Sequence, residues 1–322
     1  MRLDILKKEE AQKIKELLFT YEFNDYSTYR MLDREKLKDF LFNQILTLLK
    51  FDKNWVVVAY EKEKVVGLAT LSFLFWDTKH FGFNMAKIDY LMARGDYTQA
   101  AMIKNKLLSY LFQICKNSKI THLSCRININ DISSIHALER NGFTFMDTLV
   151  TYIFNRYRHK VLNIKELYKV RGFKKKDLQI LADIAKEVFS KDRFHLDPHI
   201  PHMKANDLFS EWVRNCSSGG YADKIFVAES RKQPVGFLTF KLNKELERFT
   251  KYKIAGRGLS AVLPGAKGVY PCLVKAAIQD IILHYDYLEF DTQLNNYEVI
   301  KVWQRFGFNF IRAKYTFHKW LS

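Results

Sequence analysis

Hydrophobic and polar positions follow the same order twice along this chain. Residues 56–71 (VVVAYEKEKVVGLATL) align without gaps with residues 225–240 (IFVAESRKQPVGFLTF), and residues 126–154 align with residues 291–319. A repeat of roughly 165 residues is too long for a solenoid unit and has the length of a duplicated domain. One architecture built twice is therefore the first prediction.

The periodicity within each copy predicts the same series of elements. Two β-branched runs around a short polar turn predict hairpins over 55–71 and 225–242, and a third strand follows each. Apolar residues at helical spacing predict helices over 102–115 and 272–285, with strands over 122–127 and 287–292. Asn/Asp-rich helix starts, glycines at Gly142 and Gly307 and a final strand complete the copies. The predicted fold class is α/β, with a mixed sheet of the α+β kind, in two domains over 1–162 and 163–322.

Composition favours a packed protein without a membrane span. Hydrophobic residues make up 48% and aromatic residues 15% of the chain, whereas there are only 13 Gly and 5 Pro. No apolar run is long enough to span a membrane, and the start MRLDILKKEEAQKIKELL predicts an amphipathic helix rather than a signal peptide. Four scattered cysteines without metal-ligand spacing predict reduced thiols and no metal site. These features indicate a cytoplasmic protein.

The net charge of +17 suggests a partner that carries several negative charges. The lysines are spread along the chain, and neither a zinc-finger spacing nor an RNP signature is present, so nucleic acid is not the predicted partner. Phosphate-bearing small molecules fit the charge equally well.

The two copies differ most between the third strand and the following helix. The second copy has LSAVLPGAKGVYP over 259–271, a small-residue loop that presents backbone N–H groups and a helix N-terminus to one point, with Lys267 beside it. The first copy has Asp96 at the corresponding place, where its carboxylate would cap the helix and repel a phosphate. The pattern predicts one pyrophosphate site, in the second copy; taken alone, the loop is equally compatible with an ordinary strand–helix turn.

Three motifs in the second copy make the sequence resemble a known superfamily. They are a Pro-x-x-Lys-Gly loop over 264–268, Thr-Gln-x-x-Asn over 292–296 and Phe-Gly-Phe over 306–308. With the order of elements, they resemble the GNAT superfamily of acyl-CoA-dependent N-acyltransferases, in tandem. A closer resemblance, to dTDP-amino-sugar N-acyltransferases such as the dTDP-fucosamine acetyltransferases, rests on Arg193-Phe194, Glu211-Trp212, Asn215, residues 315–320, Trp76-Asp77 and Phe81-Gly82-Phe83.

The resemblance implies an acyl-CoA cosubstrate, either acetyl-CoA or 3-hydroxybutyryl-CoA, and no metal. The residues that it implies for pantetheine are Leu259, Ser260, Ala261, Val262 and Asn296, and those for the pyrophosphate are Ala266, Lys267, Gly268, Val269 and Tyr270. Two positions depart from the family pattern. Tyr270 replaces a glycine of the loop, and Trp303 stands where many members have a tyrosine that protonates the leaving thiolate.

The catalytic residues are expected around the same strand. A backbone N–H near Ser260 or Ala261 would stabilise the thioester oxygen. His195 is the first candidate for a general base, because the pKa of imidazole lies near neutral pH, and Asp197 and Asp291 are the alternatives. Tyr315 and Tyr270 are possible acids.

The substrate-binding residues are expected mainly from the closer resemblance. Trp76 and Phe81 would stack on a thymine ring, Arg193 would contact a diphosphate, and Asp197 would border the acceptor site. An ordinary core role for the aromatic pair is the alternative.

The predicted function is transfer of an acyl group to the amine of a dTDP-linked 3- or 4-amino-dideoxy sugar for surface polysaccharide synthesis. The N-terminal copy, without its phosphate loop, would help to shape the acceptor site. The alternatives are acetyl transfer to an aminoglycoside, a polyamine or a protein, and a catalytically idle binding module. The sequence leaves open whether the protein is a monomer or a homodimer.

Overall fold

The chain folds into two compact units. The computed structural model describes residues 1–158, 162–256 and 258–321. The first unit contains Met1–Thr148 and the C-terminal segment that begins at Ala313, and the second unit contains Leu149–Arg312.

The first unit is a mixed sheet covered by helices, in the strand order β1-β2-β3-β4-β6-β14, with β5 paired to β3. A 3-10 helix over Lys8–Ile14 precedes α1. The elements are β1 (Arg2–Ile5), α1 (Lys15–Thr20), α2 (Arg34–Leu48), β2 (Asn54–Glu61), β3 (Lys64–Phe73), α3 (Phe75–Phe81), β4 (Met85–Ile88), β5 (Leu91–Ala93), α4 (Tyr97–Asn117), β6 (His122–Asn128), α5 (Ile132–Arg140) and the start of β7 (Thr144–Asn155).

The second unit repeats this plan, in the strand order β7-β13-β11-β10-β9-β8, with β12 paired to β10. A 3-10 helix over Lys175–Asp177 precedes α6. The elements are β8 (Lys169–Gly172), α6 (Leu178–Val188), α7 (Arg193–Leu196), α8 (His202–Ser217), β9 (Lys224–Ser230), β10 (Gln233–Leu242), α9 (Lys244–Thr250), β11 (Ile254–Gly256), β12 (Ser260–Val262), α10 (Val269–His284), β13 (Tyr287–Gln293), α11 (Tyr297–Arg305) and the start of β14 (Asn309–Trp320).

The two sequence repeats exchange their last strands: β14, which ends the second repeat, pairs with β6 of the first, and β7, which ends the first repeat, pairs with β13 of the second. In the first unit, Lys314–Trp320 of β14 pairs antiparallel with β6. In the second unit, residues 149–155 of β7 pair antiparallel with β13. The compact units therefore divide at 148/149 and 312/313, whereas the sequence repeat predicts a division near residue 162. The boundaries differ because the last strand of each repeat pairs within the sheet formed by the other repeat.

The third strand of each copy is split into two short strands, which the sequence does not predict. In the second copy, β11 pairs with both β10 and β13, but β12 pairs only with β10 among the described residues. Glycines permit this break: a Cβ on Gly256 would lie 2.5 Å from the carbonyl oxygen of Glu289, and one on Gly258 would lie 1.6 Å from that of Thr239. The two parts diverge, so a cleft opens between β12 and Phe290–Gln293 of β13.

Other predicted elements agree with the structure, with one exception at the N-terminus. Both hairpins form, the helices and strands lie at the predicted positions, and all four cysteines are buried and free. The amphipathic helix predicted from residue 1 is wrong: Arg2–Ile5 is a strand paired with β2, and only Lys15–Thr20 is α-helical. Within the described part of the chain, no helix is long and apolar enough to cross a membrane.

Candidate functional site

The cleft edge of β12 exposes backbone groups of alternate residues. The N–H of Thr239 donates to the carbonyl of Leu259 (2.8 Å) and the N–H of Leu263 donates to that of Val235 (2.9 Å), so the odd-numbered residues of this segment bond to β10. In an antiparallel pair, the residues that alternate with the hydrogen-bonded ones point their backbone N–H and C=O groups away from the partner strand. The backbone groups of Ser260 and Val262 therefore face the cleft, whereas those of Leu259 and Ala261 are directed to β10.

The wide end of the cleft leads to a helix N-terminus without a side-chain cap. Gly268 is the N-cap of α10 with φ +83°, and no side chain caps this end. The amides of Ala266, Lys267 and Val269 donate to carbonyls of the turn, at 3.1, 2.9 and 3.4 Å, so the amide of Tyr270 is the one in the first helical turn that points along the helix axis. Pro271 is the third helical residue, a position at which an N–H has no intrahelical partner to lose.

The first copy keeps the split strand but fills the corresponding place with its own side chains. As predicted, the carboxylate of Asp96 caps α4 by accepting from the N–H of Gln99 (2.9 Å). The hydroxyl of Ser134 donates to the carbonyl of Leu91 in β5 (3.2 Å), and Asp131 accepts from Lys104 (2.7 Å) and from the hydroxyl of Tyr21 (2.8 Å). In this unit, therefore, a carboxylate caps the helix N-terminus and a side chain occupies the carbonyl of Leu91 at the β5 edge.

Three side chains of the second unit meet at the floor of its cleft. The indole N–H of Trp303 in α11 donates to the hydroxyl of Tyr270 in α10 (2.8 Å), and Ser260 of β12 acts on the same phenol as a donor that lowers its pKa. Trp303 is buried and stacks on Phe290 of β13, with centroids 5.5 Å apart. Burial raises the pKa of Tyr270 to about 12, so this phenol stays protonated at neutral pH.

Asn296 lies at the other side of the cleft, at the N-terminus of α11. Its side-chain N–H donates to the hydroxyl of Thr292 (3.0 Å), and its carbonyl oxygen does not cap the helix. The residue is partly exposed. Its position is compatible with the predicted contact to pantetheine.

The face of β13 opposite α11 carries a cluster of charges. Arg312 and Glu289 form a buried ion pair (2.7 Å), and Arg312 also donates to Thr151 (3.1 Å). Thr151 in turn donates to Asp291, which is partly exposed and lies 4.0 Å from Arg312. The pairing of β11 with β13 ends at Glu289, and Asp291 is the next residue on the same face of β13. Asp291 therefore borders the cleft.

A pocket of about 420 Å³ adjoins this cluster at the narrow end of the cleft. Gly256 and Glu289, which are paired in register, contribute to its wall. Lys241, Lys244 and Glu245 also line it, so a ligand here would meet both cationic and acidic side chains.

The geometry of His195 differs from that of a general base. Its Nδ1 bonds to Asp192 and its Nε2 lies 2.7 Å from the amide oxygen of Asn206. Desolvation lowers the pKa of His195, but these hydrogen bonds outweigh it and raise the pKa above the ordinary value. Both ring nitrogens face acceptors of the protein, so neither is open to a substrate in this arrangement, and the side chain joins α7 to α8.

The neighbouring polar residues have local partners. Arg193 is partly exposed and its guanidinium lies over the ring of Phe194, 4.2 Å from the centroid. Asp197 is buried, and its carboxylate accepts from the N–H of His199 (3.0 Å), which closes the turn after α7. The contact of Arg193 with a diphosphate stays a prediction, whereas Asp197 stabilises the turn.

The two aromatic residues expected to stack on a base differ in exposure. Phe81 is only 2% exposed and packs beside Phe83, with centroids 5.8 Å apart, so its ring offers no face to a ligand. Trp76 is partly exposed and stacks on His80. The expectation of stacking therefore rests on Trp76 alone.

Sequence reasoning missed the Glu289–Arg312 pair and the contact between Trp303 and Tyr270. Glu289 lies between Leu288 and Phe290 and Arg312 lies in the final β run, and a buried charge normally requires a partner. That signal pointed to a pair, but the partner is 23 residues away in the chain and is set by strand pairing.

No protein-family model matches the chain. The spore coat polysaccharide biosynthesis protein SpsD of Bacillus subtilis is 21% identical over 299 residues, which cover 92% of this chain and 98% of that protein. Among solved structures, a tandem GNAT protein from the clavulanic acid biosynthesis pathway matches with a TM-score of 0.59 and 12% identity, over 99% of this chain and 98% of its own. A GCN5-related N-acetyltransferase from Sphaerobacter thermophilus matches with a TM-score of 0.65 and 10% identity, over 99% and 95%.

Proposed function

We propose that this chain, which has the tandem GNAT fold, is an N-acyltransferase that uses acyl-CoA and binds it in the second unit only. The observation that carries the proposal is the split third strand. Its free edge at Ser260 and Val262 can pair with an extended pantetheine arm, and the uncapped N-terminus of α10 at the wide end suits a diphosphate. The first unit, whose helix is capped by Asp96, would have lost this role.

The reaction proposed is direct transfer. The acceptor amine attacks the thioester carbonyl while the N–H of Ser260, which faces the cleft, stabilises the developing oxyanion. The C–S bond then breaks and its electron pair remains on sulfur, where a thiol pKa of about 8.5 makes departure easy near neutral pH. Asp291, through a water molecule, would accept the excess proton of the attacking amine.

For the acceptor we propose a dTDP-linked 3- or 4-amino-dideoxy sugar, with an acetyl or short hydroxyacyl group as the donor. The name of the spore coat relative concerns polysaccharide biosynthesis, and the net charge of +17 suits two ligands that both carry a diphosphate. The pocket beside Glu289, with Lys241 and Lys244, adjoins the narrow end of the cleft, where the amine must arrive. Four unpaired cysteines favour a reducing compartment, so we place the reaction in the cytoplasm.

The test is acceptor-dependent release of free thiol, followed with a thiol-reactive dye. Purified protein is mixed with dTDP-3-amino and dTDP-4-amino sugars, and acetyl-CoA is compared with 3-hydroxybutyryl-CoA. Release that requires both an amino sugar and an acyl-CoA supports the proposal and identifies the acyl group. If CoA binds but no sugar is acylated, the acceptor is another amine; if CoA does not bind, the protein is a binding module without this activity.

A further inference from the structure

A chain of hydrogen bonds with only one possible direction links Arg312 to Asp291. A guanidinium donates and cannot accept, so Nε of Arg312 donates to the hydroxyl oxygen of Thr151 (3.1 Å). The hydroxyl of Thr151 carries a single proton, and that proton is donated to Oδ1 of Asp291. The order of donation is therefore Arg312, Thr151, Asp291, and it ends on an oxygen that must act as an acceptor.

The two carboxylate oxygens of Asp291 differ in their surroundings. Oδ1 accepts from Thr151 and lies 4.0 Å from Nη2 of Arg312, whereas Oδ2 has neither a hydrogen bond nor an ion pair with the residues that the structure describes. The side chain of Asp291 is 24% exposed, but Thr151 and Arg312 are only 2% and 7% exposed. Asp291 is thus anchored from the protein interior by one oxygen, and the other oxygen is available at the cleft.

Glu289 keeps Arg312 in place for this contact. The two residues form an ion pair (2.7 Å), and both side chains are buried. A buried ion pair seldom adds stability in comparison with apolar side chains of similar size, because the desolvation of both charges offsets their attraction. The pair is therefore better explained by the geometry that it imposes, which holds Nε of Arg312 against Thr151.

The first unit keeps the threonine but has no acid at the equivalent position. The sequence repeat places Thr316 at the position of Thr151 and Arg126 at that of Asp291, and the two members of each pair lie directly opposite each other on neighbouring strands. Nε of Arg126 donates to the hydroxyl of Thr316 (3.2 Å). An arginine cannot accept a proton. A carboxylate therefore occurs at this position only in the unit whose helix N-terminus lacks a side-chain cap.

We propose that Thr151 and Arg312 are positioning residues for the acyl transfer, which anchor Asp291 by Oδ1 so that Oδ2 meets the acceptor amine. The inference rests on the proposed function and names the groups that make Asp291 effective as its base. The proton lost by the amine after attack passes through a water molecule to Oδ2 and then to solvent, while the thiolate leaves with the electron pair of the C–S bond. Oδ1 keeps its hydrogen bond to Thr151 throughout, so the carboxylate does not rotate as the proton arrives.

The test is a double-mutant cycle in the thiol-release assay, with the dTDP-amino sugar and the acyl-CoA that give the fastest release with the wild type. Thr151→Val removes the hydroxyl and keeps the shape of the side chain, so kcat should fall about tenfold, as expected for one hydrogen bond, while the KM for acyl-CoA stays unchanged. Thr151→Ser keeps the hydroxyl and should restore most of the activity. In Asp291→Asn, which already lacks the base, Thr151→Val should cause no further fall, because its effect passes through Asp291. Arg312→Lys, which keeps the charge but loses the fork of donors, should also lower kcat.

Thr316→Val is the matched control, because it removes a similarly buried hydroxyl that accepts from an arginine in the first unit. It should leave kcat unchanged, and its Tm shows what the loss of such a hydroxyl costs in stability alone. A wild-type kcat in Thr151→Val, an equal fall in Thr316→Val or a further fall in the Asp291→Asn background overturns the inference while the proposed function stands. A wild-type protein without acceptor-dependent thiol release overturns both.

Discussion

The ammonium of Lys104 lies 2.7 Å from a carboxylate oxygen of Asp131, and both side chains are almost completely buried. Asp131 also accepts from the backbone N–H of Ser134 and the hydroxyl of Tyr21, so its oxygens are surrounded by donors. Asp131 occupies in the first repeat the position that Asn296 holds in the second. The same helix N-cap position thus holds a buried ion-pair partner in one unit and a partly exposed amide in the other.

Removal of the Lys104 charge should destabilise the first unit strongly. In Lys104→Met the carboxylate of Asp131 stays buried without its cation, and we expect a loss of about 3–5 kcal/mol in the free energy of unfolding, measured with urea. Lys104→Met combined with Asp131→Leu should regain most of this loss. Lys106→Met, on the exposed side of the same helix, should change stability by less than about 0.5 kcal/mol; an equal loss there would contradict the prediction.

The same pair should make the protein sensitive to acid. Desolvation raises the pKa of Asp131, but the charge of Lys104 and the hydrogen bonds outweigh it, so the pKa lies below its ordinary value. A lowered carboxyl pKa contributes stability above the unfolded pKa of about 4, and this contribution is lost as the pH falls through the folded pKa. The stability difference between wild type and Asp131→Asn should therefore shrink below pH 4. A difference that stays constant to pH 2 would exclude this account.

His195 should show the opposite pH dependence. Its hydrogen bonds to Asp192 and Asn206 raise its pKa, so its contribution to stability is complete below the unfolded pKa of about 6.5 and is lost as the pH rises through the folded value. NMR titration should place the pKa above 6.5, and His195→Gln should destabilise the protein more at pH 6 than at pH 8.5. His284→Gln, at the exposed end of α10, is the control for loss of a histidine.

A charge at the N-cap of α10 should abolish cofactor binding. Gly268→Asp places a carboxylate where Asp96 stands in the first unit, and its Cβ would lie 2.9 Å from Leu167. We expect the affinity for CoA to fall at least about 100-fold in calorimetry, since an anion would then face the diphosphate. Gly219→Asp, at another glycine with positive φ but with no atom within 4 Å of its Cβ, controls for backbone strain. Equal affinities in both variants would place the diphosphate elsewhere.

Asp291→Asn should lower turnover without weakening CoA binding. The amide oxygen can still accept from Thr151, but an amide cannot accept a proton, so kcat should fall by about 10²-fold. Asp183→Asn, on an exposed position of α6, should leave kcat unchanged. A wild-type kcat in Asp291→Asn would remove this residue from the mechanism.

Local patterns were sufficient for much of the architecture. Each hairpin depends on alternation within a few residues of a turn, and the helix ends at Gly142 and Gly307 need only a glycine with positive φ. The cap by Asp96 and the loop before Gly268 likewise depend on neighbours in the sequence. These features were predictable because the interacting groups are close along the chain.

Tertiary structure decided the features that join distant segments. The exchange of β7 and β14 brings Thr151 to Asp291 and Arg312 to Glu289, and no periodicity specifies which sheet edge a strand joins. The contact of Trp303 with Tyr270 depends on how two helices pack over a split strand. The partners of His195 were set in the same way, since the sequence contains Asp192 and Asn206 but does not show that the fold places one on each ring nitrogen. The sequence determined which chemical groups are present and the local elements that carry them, whereas long-range pairing determined which of those groups meet.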